Sequence, residues 1–147
     1  MRAPPQVRFE RLQKLIERLN DEAKNGSVIV VEGARDRKSL ESMGVSGRIV
    51  CIQSSRRSTL SFAEQLSCEK NVIVLTDFDR QGVFLANHLT RVLNSQSVRT
   101  NLALWRELRG LTRSDVRSVE ELPRLQERLQ NEVQFHRSGV ADTRRYS

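Results

Sequence analysis

Three carboxylates stand where chemistry is easiest to build. Glu32 follows the run Val28-Ile29-Val30-Val31, and Asp77 and Asp79 follow the run Val72-Ile73-Val74-Leu75-Thr76. Both runs are solid and rich in β-branched residues, the pattern of a parallel strand covered on both faces. The acids therefore sit just past strand ends, where open parallel sheets bind their ligands. If the two strands are neighbours, the three carboxylates converge, and each like-charged pair costs on the order of 1 kcal/mol or more. A hard divalent cation removes that cost. Mg²⁺ accepts one or two carboxylates, keeps several waters and shares the rest of its shell with phosphate oxygens. Gly33 and Gly82 lie beside the acids and let backbone approach closely. The plainer alternative is that Asp79 caps the helix that begins near Arg80, while Glu32 only opens a turn.

Arginines surround these positions in the sequence. Arg80 adjoins Asp79 and is placed to touch phosphate or developing negative charge. Arg56 and Arg57, with Ser54, Ser55 and Ser58, form a polar loop between a strand and a helix; such a loop either cradles a phosphate or is a solvated, capped turn. Arg106, Arg109 and Arg113 flank Trp105 at spacings of three and four, which puts them on one face if that stretch is helical. Trp105 itself either stacks on an unpaired base or belongs to the core. The 147-residue chain has 25 basic and 18 acidic residues, a net charge of +7, and 21 of its basic residues are Arg. An Arg-heavy chain with a pI near 10.4 leans toward a polyanion, most simply nucleic acid. Cys51 and Cys68 form no close pair, and with only two His the chain has no persuasive zinc pattern. Neither His88 nor His136 belongs to a nucleophile arrangement.

The elements that position these residues follow from periodicity. Phe9, Leu12, Leu15, Ile16, Leu19 and Ala23 give a helix over 7–24 with one apolar face. Strands are expected at 28–31, 48–53, 72–76 and 98–104, and helices at about 36–43, 59–68, 83–93 and 120–133. The basic segment 105–117 has no decisive periodicity. Ser118 and Glu121 have capping-box spacing before the last helix. Short solid strands alternating with helices predict an α/β fold with about four parallel strands flanked by helices. The expected organisation is an N-terminal helix over 1–25, an α/β domain over 26–105, a basic helical extension over 106–136, and a disordered polar tail over 137–147. With 37% apolar and 29% charged residues the chain should fold rather than stay disordered. Its apolar runs are too short to cross a bilayer, and its start does not read as a secretory signal. The expectation is a cytoplasmic protein with no membrane partner.

Val30-Val31-Glu32-Gly33 together with Val74-Leu75-Thr76-Asp77-Phe78-Asp79-Arg80-Gln81-Gly82 resembles the Toprim domain, over about residues 26–105. That domain is shared by type IA and II topoisomerases, bacterial-type primases, nucleases of the OLD type, the recombination mediator and the ribonuclease that matures 5S rRNA. In its length and flanking helices the chain is similar to small archaeal stand-alone Toprim proteins, related to the 5S rRNA maturase and primase branch. The resemblance implies a Rossmann-like fold. It also implies Glu32 as general acid/base, Asp77 and Asp79 as Mg²⁺ ligands, and Glu32 as a further member of the metal shell. One or two Mg²⁺ ions are implied, with Mn²⁺ able to stand in. The chain departs from relatives at Ala34, where many nuclease-like members carry Lys; Arg35, next to it, is the candidate to take over phosphate contact. Gln81 stands where type IA topoisomerases have a third acid. The one Tyr, Tyr146, lies in the tail, which argues against topoisomerase chemistry.

Two functions stay open. One is a Mg²⁺-dependent nuclease acting on phosphodiesters of RNA or DNA. The other is a non-catalytic nucleic-acid binding or scaffold protein of the recombination-mediator kind. A small single domain leaves little room for recognising substrate shape, so a protein partner or a homodimer is expected. A haloacid-dehalogenase-type phosphatase also uses Asp-x-Asp after a strand. It wants Thr or Val where Gln81 stands, and its motif in the first strand.

Overall fold

The computed structural model describes residues 2–53, 58–113 and 115–145, with side chains as far as Phe135. In chain order the elements are α1 (Pro5–Lys24), β1 (Val28–Val31), α2 (Ala34–Ser42), β2 (Ile49–Cys51), α3 (Thr59–Gln65), β3 (Asn71–Leu75), α4 (Arg80–Ser95), β4 (Arg99–Asn101), α5 (Ala103–Thr112), a single 3-10 turn (Val119–Glu121) and α6 (Leu122–Arg145). The four strands form one parallel sheet in the order β2-β1-β3-β4. This is the α/β, Rossmann-like arrangement expected of a Toprim fold.

The order dictates the layers. From β1 the chain crosses to β2 on one side; from β2 it returns past β1 to β3, and then moves on to β4. Right-handed crossovers therefore place α2 on one face and α3 with α4 on the other. In agreement, α3 packs on α4, while α1, α5 and α6 pack together and α6 reaches α2. The strands are buried because helices cover both faces: Val28–Val31 are fully inside, as are Val72–Leu75. Leu12 and Leu19 of α1, Leu89 and Leu93 of α4, Leu104 and Leu108 of α5, and Leu122 and Leu125 of α6 complete the core. The direction of winding reverses between β1 and β3, so their carboxyl ends border the crevice where such sheets take ligands.

Three elements differ from the sequence expectation. β4 is only Arg99–Asn101, and the apolar stretch Leu102–Leu104 that extended it in the sequence turns into α5. The unassigned segment 105–117 is largely that helix, held by Leu104, Trp105 and Leu108 on its buried side. The last helix begins with the capping box at Ser118 and Glu121 and has a helical backbone through Arg145, past the ends expected near Val133 and Arg137. No proline interrupts it after Pro123, and its Gln, Arg and Glu residues favour helix. Among the described residues, no helix is long and apolar enough to cross a membrane.

Asp115, in the loop after α5, ties the helical layer together. Its carboxylate takes Arg2 at 2.8 Å and Arg128 of α6 at 3.6 Å, and it pairs closely with the buried Arg8 of α1. Arg8 also donates to the Leu111 carbonyl at 3.2 Å. Burial works against the Asp115 charge, but the hydrogen bonds and charges of Arg8 and Arg2 outweigh it and hold the carboxyl below its usual range.

Candidate functional site

β1 and β3 pair with Val31 opposite Leu75, so Glu32 and the residues after Leu75 leave the sheet side by side. The backbone N–H of Asp77 donates to Glu32 Oε2 at 2.6 Å, which fixes the two carboxylates at the winding reversal. A third acid joins them from α2. Asp36, only 6% exposed, accepts from the Gly33 N–H at 3.0 Å and from the Glu120 N–H at 2.9 Å. Asp77 Oδ1 accepts the Val119 N–H at 3.4 Å. The 3-10 turn before α6 thus lies across the acids as a strap. It is secured by Phe78 N–H on the Arg117 carbonyl at 2.7 Å and by the Ser39 hydroxyl on the Glu120 carbonyl at 3.0 Å.

Burial pushes the Asp77 carboxyl up to about 8, with the charges of Glu32 and Asp36 adding to it. Asp36 is also raised, first by burial and then by Glu32 and Glu120, against the hydrogen bonds from Gly33 and Glu120. None of Glu32, Asp36 and Asp77 enters a salt bridge among the described residues. Three acids are therefore crowded at this edge, and the crowding favours keeping a proton on Asp77.

Asp79 stands at the start of α4. Its Oδ1 accepts the Gly82 N–H at 2.7 Å and caps α4. Gly82 permits this turn: a Cβ there would lie 1.9 Å from the Asp77 carbonyl oxygen. Gly82 also receives the Thr76 hydroxyl on its carbonyl at 2.7 Å. The structure brings Glu32 and Asp77 together and leaves Asp79 at the neighbouring helix start. Among the described residues, no three acidic, His or Cys side chains are already arranged around a metal position. The side-chain oxygens of Glu32 and Asp77 are nonetheless hard donors of the kind a divalent cation such as Mg²⁺ takes, and Asp36, whose two oxygens accept the Gly33 and Glu120 amides, lies beside them.

Beside the acids, Asp79 shares a cleft of about 830 Å³ with Arg80, Arg106, Arg109, Arg113 and Arg117. Arg80, Arg106 and Arg109 thus share this cleft with Asp79. Arg109 donates to the Phe78 carbonyl at 3.2 Å and lies 5.9 Å from the centre of the Trp105 ring. Trp105 is 4% exposed, and its indole N–H donates to the Thr76 carbonyl at 2.8 Å. It is a core residue supporting the β3 end, and burial rules out its stacking on a base. Arg35 is 84% exposed, pairs with Glu120 at 3.7 Å and is not among the residues that line the cleft. Arg56 and Arg57 lie outside the described residues. Ser58 caps α3, accepting the Ser61 N–H at 3.2 Å.

Asp36 and Arg117 escaped the sequence reading. Asp36 looks like one more charge in a polar helix. Arg117 belongs to the site only through the strap.

Comparison with known proteins bears on the family and the fold. The family model described as Toprim domain matches residues 27–104. A UPF0292 protein of Methanosarcina acetivorans is 36% identical, covering 78% of this chain and 79% of its own. A UPF0292 protein of Thermococcus sibiricus is 37% identical, covering 78% of this chain and 86% of its own. One of Methanocaldococcus jannaschii is 36% identical, covering 78% and 88%. A solved structure of a protein from Aquifex aeolicus shares the fold, with a TM-score of 0.59 at 22% identity, over 74% of this chain and 94% of that one.

Proposed function

The chain belongs to the Toprim domain family, and from that premise we propose that it is a Mg²⁺-dependent nuclease acting on phosphodiesters of RNA or DNA. The observation that carries this reading is the juxtaposition of two opposite fields. The Glu32–Asp36–Asp77 acids, none of them in a salt bridge among the described residues, lie next to a cleft with five arginines. A phosphodiester bridging the two would meet arginine forks on its backbone oxygens. Bound at Glu32 and Asp77, Mg²⁺ would supply charge stabilisation at the phosphoryl group and a more acidic water. Glu32 is the group to hold or pass a proton; the Asp77 amide at 2.6 Å fixes its Oε2. Asp36 positions both by gripping Gly33 and the strap. Asp79, as the cap of α4, sets the start of the helix that carries Arg80.

A second reading is favoured by one observation: the Asp79 carboxylate is engaged with the Gly82 amide. A nucleic-acid binding or scaffold protein would need the arginine cleft and not a complete metal shell. Cleavage of single-stranded and structured RNA and DNA, with and without Mg²⁺ or Mn²⁺, separates the two. We expect metal-dependent cleavage by the wild type and its loss in Asp77→Asn and Glu32→Gln. If the wild type cuts none of these substrates while both variants bind as tightly or more tightly, the nuclease reading is wrong and the binding protein stands.

A further inference from the structure

The arginine cleft does not end at α5. A second groove, of about 470 Å³, runs between α1 and α5 and carries Arg11, Lys14 and Arg18 of α1. Gly110 lines both. It sits within α5, where glycine weakens a helix. No packing demands it, since a Cβ there would meet nothing within 4 Å. The missing side chain lowers the ridge between the two basic troughs. On the α1 side, Arg11 and Lys14 are exposed and enter no salt bridge among the described residues, while Arg18 shares its charge with Glu107 at 2.7 Å. On the cleft side, Arg80, Arg106, Arg113 and Arg117 likewise enter none among the described residues. Cations laid along one path, most of them outside any salt bridge, are what a linear polyanion neutralises.

We infer that one nucleic-acid strand runs from the acid site through the arginine cleft, over Gly110, and along the α1 groove on Arg11, Lys14 and Arg18. This rests on the nucleic-acid reading above and deepens it. The preferred substrate is a polymer of several nucleotides, with the far part of the strand held remote from the acids. A mononucleotide or a short end fills only the cleft.

The test is the salt dependence of binding for short (about 4-nucleotide) and long (about 16-nucleotide) single-stranded oligonucleotides, in RNA and DNA versions. In the full chain, Arg11→Gln, Lys14→Gln and Arg18→Gln are combined. Each lost phosphate contact lowers the slope of log K against log salt by about 0.7. The long oligonucleotide should therefore lose about 2 from its slope, and on the order of tenfold to a hundredfold in affinity at moderate salt. The short one should be unchanged. Gly110→Glu should weaken the long oligonucleotide more than the short one, since Gly110 borders the cleft as well as the groove, while Gly110→Ala should raise Tm, showing that the helix tolerates a side chain there. An unchanged slope for the long oligonucleotide, equal losses for short and long, or no effect of Gly110→Glu would overturn the track and leave the function proposed above in place. Failure of the wild type to bind any oligonucleotide would overturn both.

Discussion

With burial and the charges of Glu32 and Asp36 against it, the Asp77 carboxyl stays protonated to about 8, against an ordinary value of 3.8. The sign of the linkage follows. Between those values the folded state holds a proton that the unfolded chain has released, so stability is highest in acid and falls as pH rises toward 8. Asp77 is partly open to solvent, so the loss is screened to on the order of 1–2 kcal/mol. Asp77→Asn, which imitates the protonated carboxyl, should raise Tm at pH 8 in chelator and flatten its pH dependence. Adding Mg²⁺ should raise the Tm of the wild type and not of the variant. A variant that melts below the wild type in chelator would show that Asp77 is not under charge strain. At this scale the sequence revealed Glu32 and Asp77, because strand ends announce themselves by solid apolar runs. It hid Asp36, whose partner Glu120 is 84 positions away. It also left Asp79 between two roles, of which the structure displays the cap, made by Oδ1 on the Gly82 amide.

The strap before α6 is the element on which the acids depend, and its own hold is local. The Glu121 carboxylate accepts from the Arg117 and Ser118 amides at 2.8 and 3.0 Å. Burial disfavours that charge, but those hydrogen bonds prevail and hold Glu121 below its usual range. Ser118→Ala removes one side of the box and should cost about 1 kcal/mol. Because the Val119 and Glu120 amides reach Asp77 and Asp36, the variant should also bind Mg²⁺ more weakly, read as a smaller Tm increase on titration. An unchanged increase would uncouple strap from acids. The box was legible as Ser118 and Glu121 spacing, and so were α1, β1, β3 and α4. What could not be read was α5. Its buried positions Leu104, Trp105, Leu108 and Thr112 are interleaved with Arg106, Arg109 and Gly110, and the apolar residues before it look like the continuation of a strand.

Across the whole molecule, a parallel sheet of about four strands flanked by helices was legible from the β-α alternation, while the order β2-β1-β3-β4 was not. Nor was the way the terminal helices close on the sheet, since that is decided by Asp115 and its arginines. Asp115→Asn leaves Arg8 buried without its counter-ion and should cost about 3 kcal/mol at neutral pH. With the folded carboxyl held below 3.8, the wild-type advantage is present above that value and disappears as pH falls through the folded pKa. Urea denaturation of both proteins at pH 7 and in acid checks this; a constant difference would show that charge pairing is not its source. The single tryptophan carries another consequence. Trp105 hangs from the Thr76 carbonyl, one peptide before Asp77, and lies under the guanidinium of Arg109. The molecule thus holds an intrinsic fluorophore wired to both halves of its site. A cation that draws on Asp77 should alter the polarity at the indole, and a phosphate that pulls Arg109 off the ring should alter its quenching, so the two arrivals can be told apart by emission without any label.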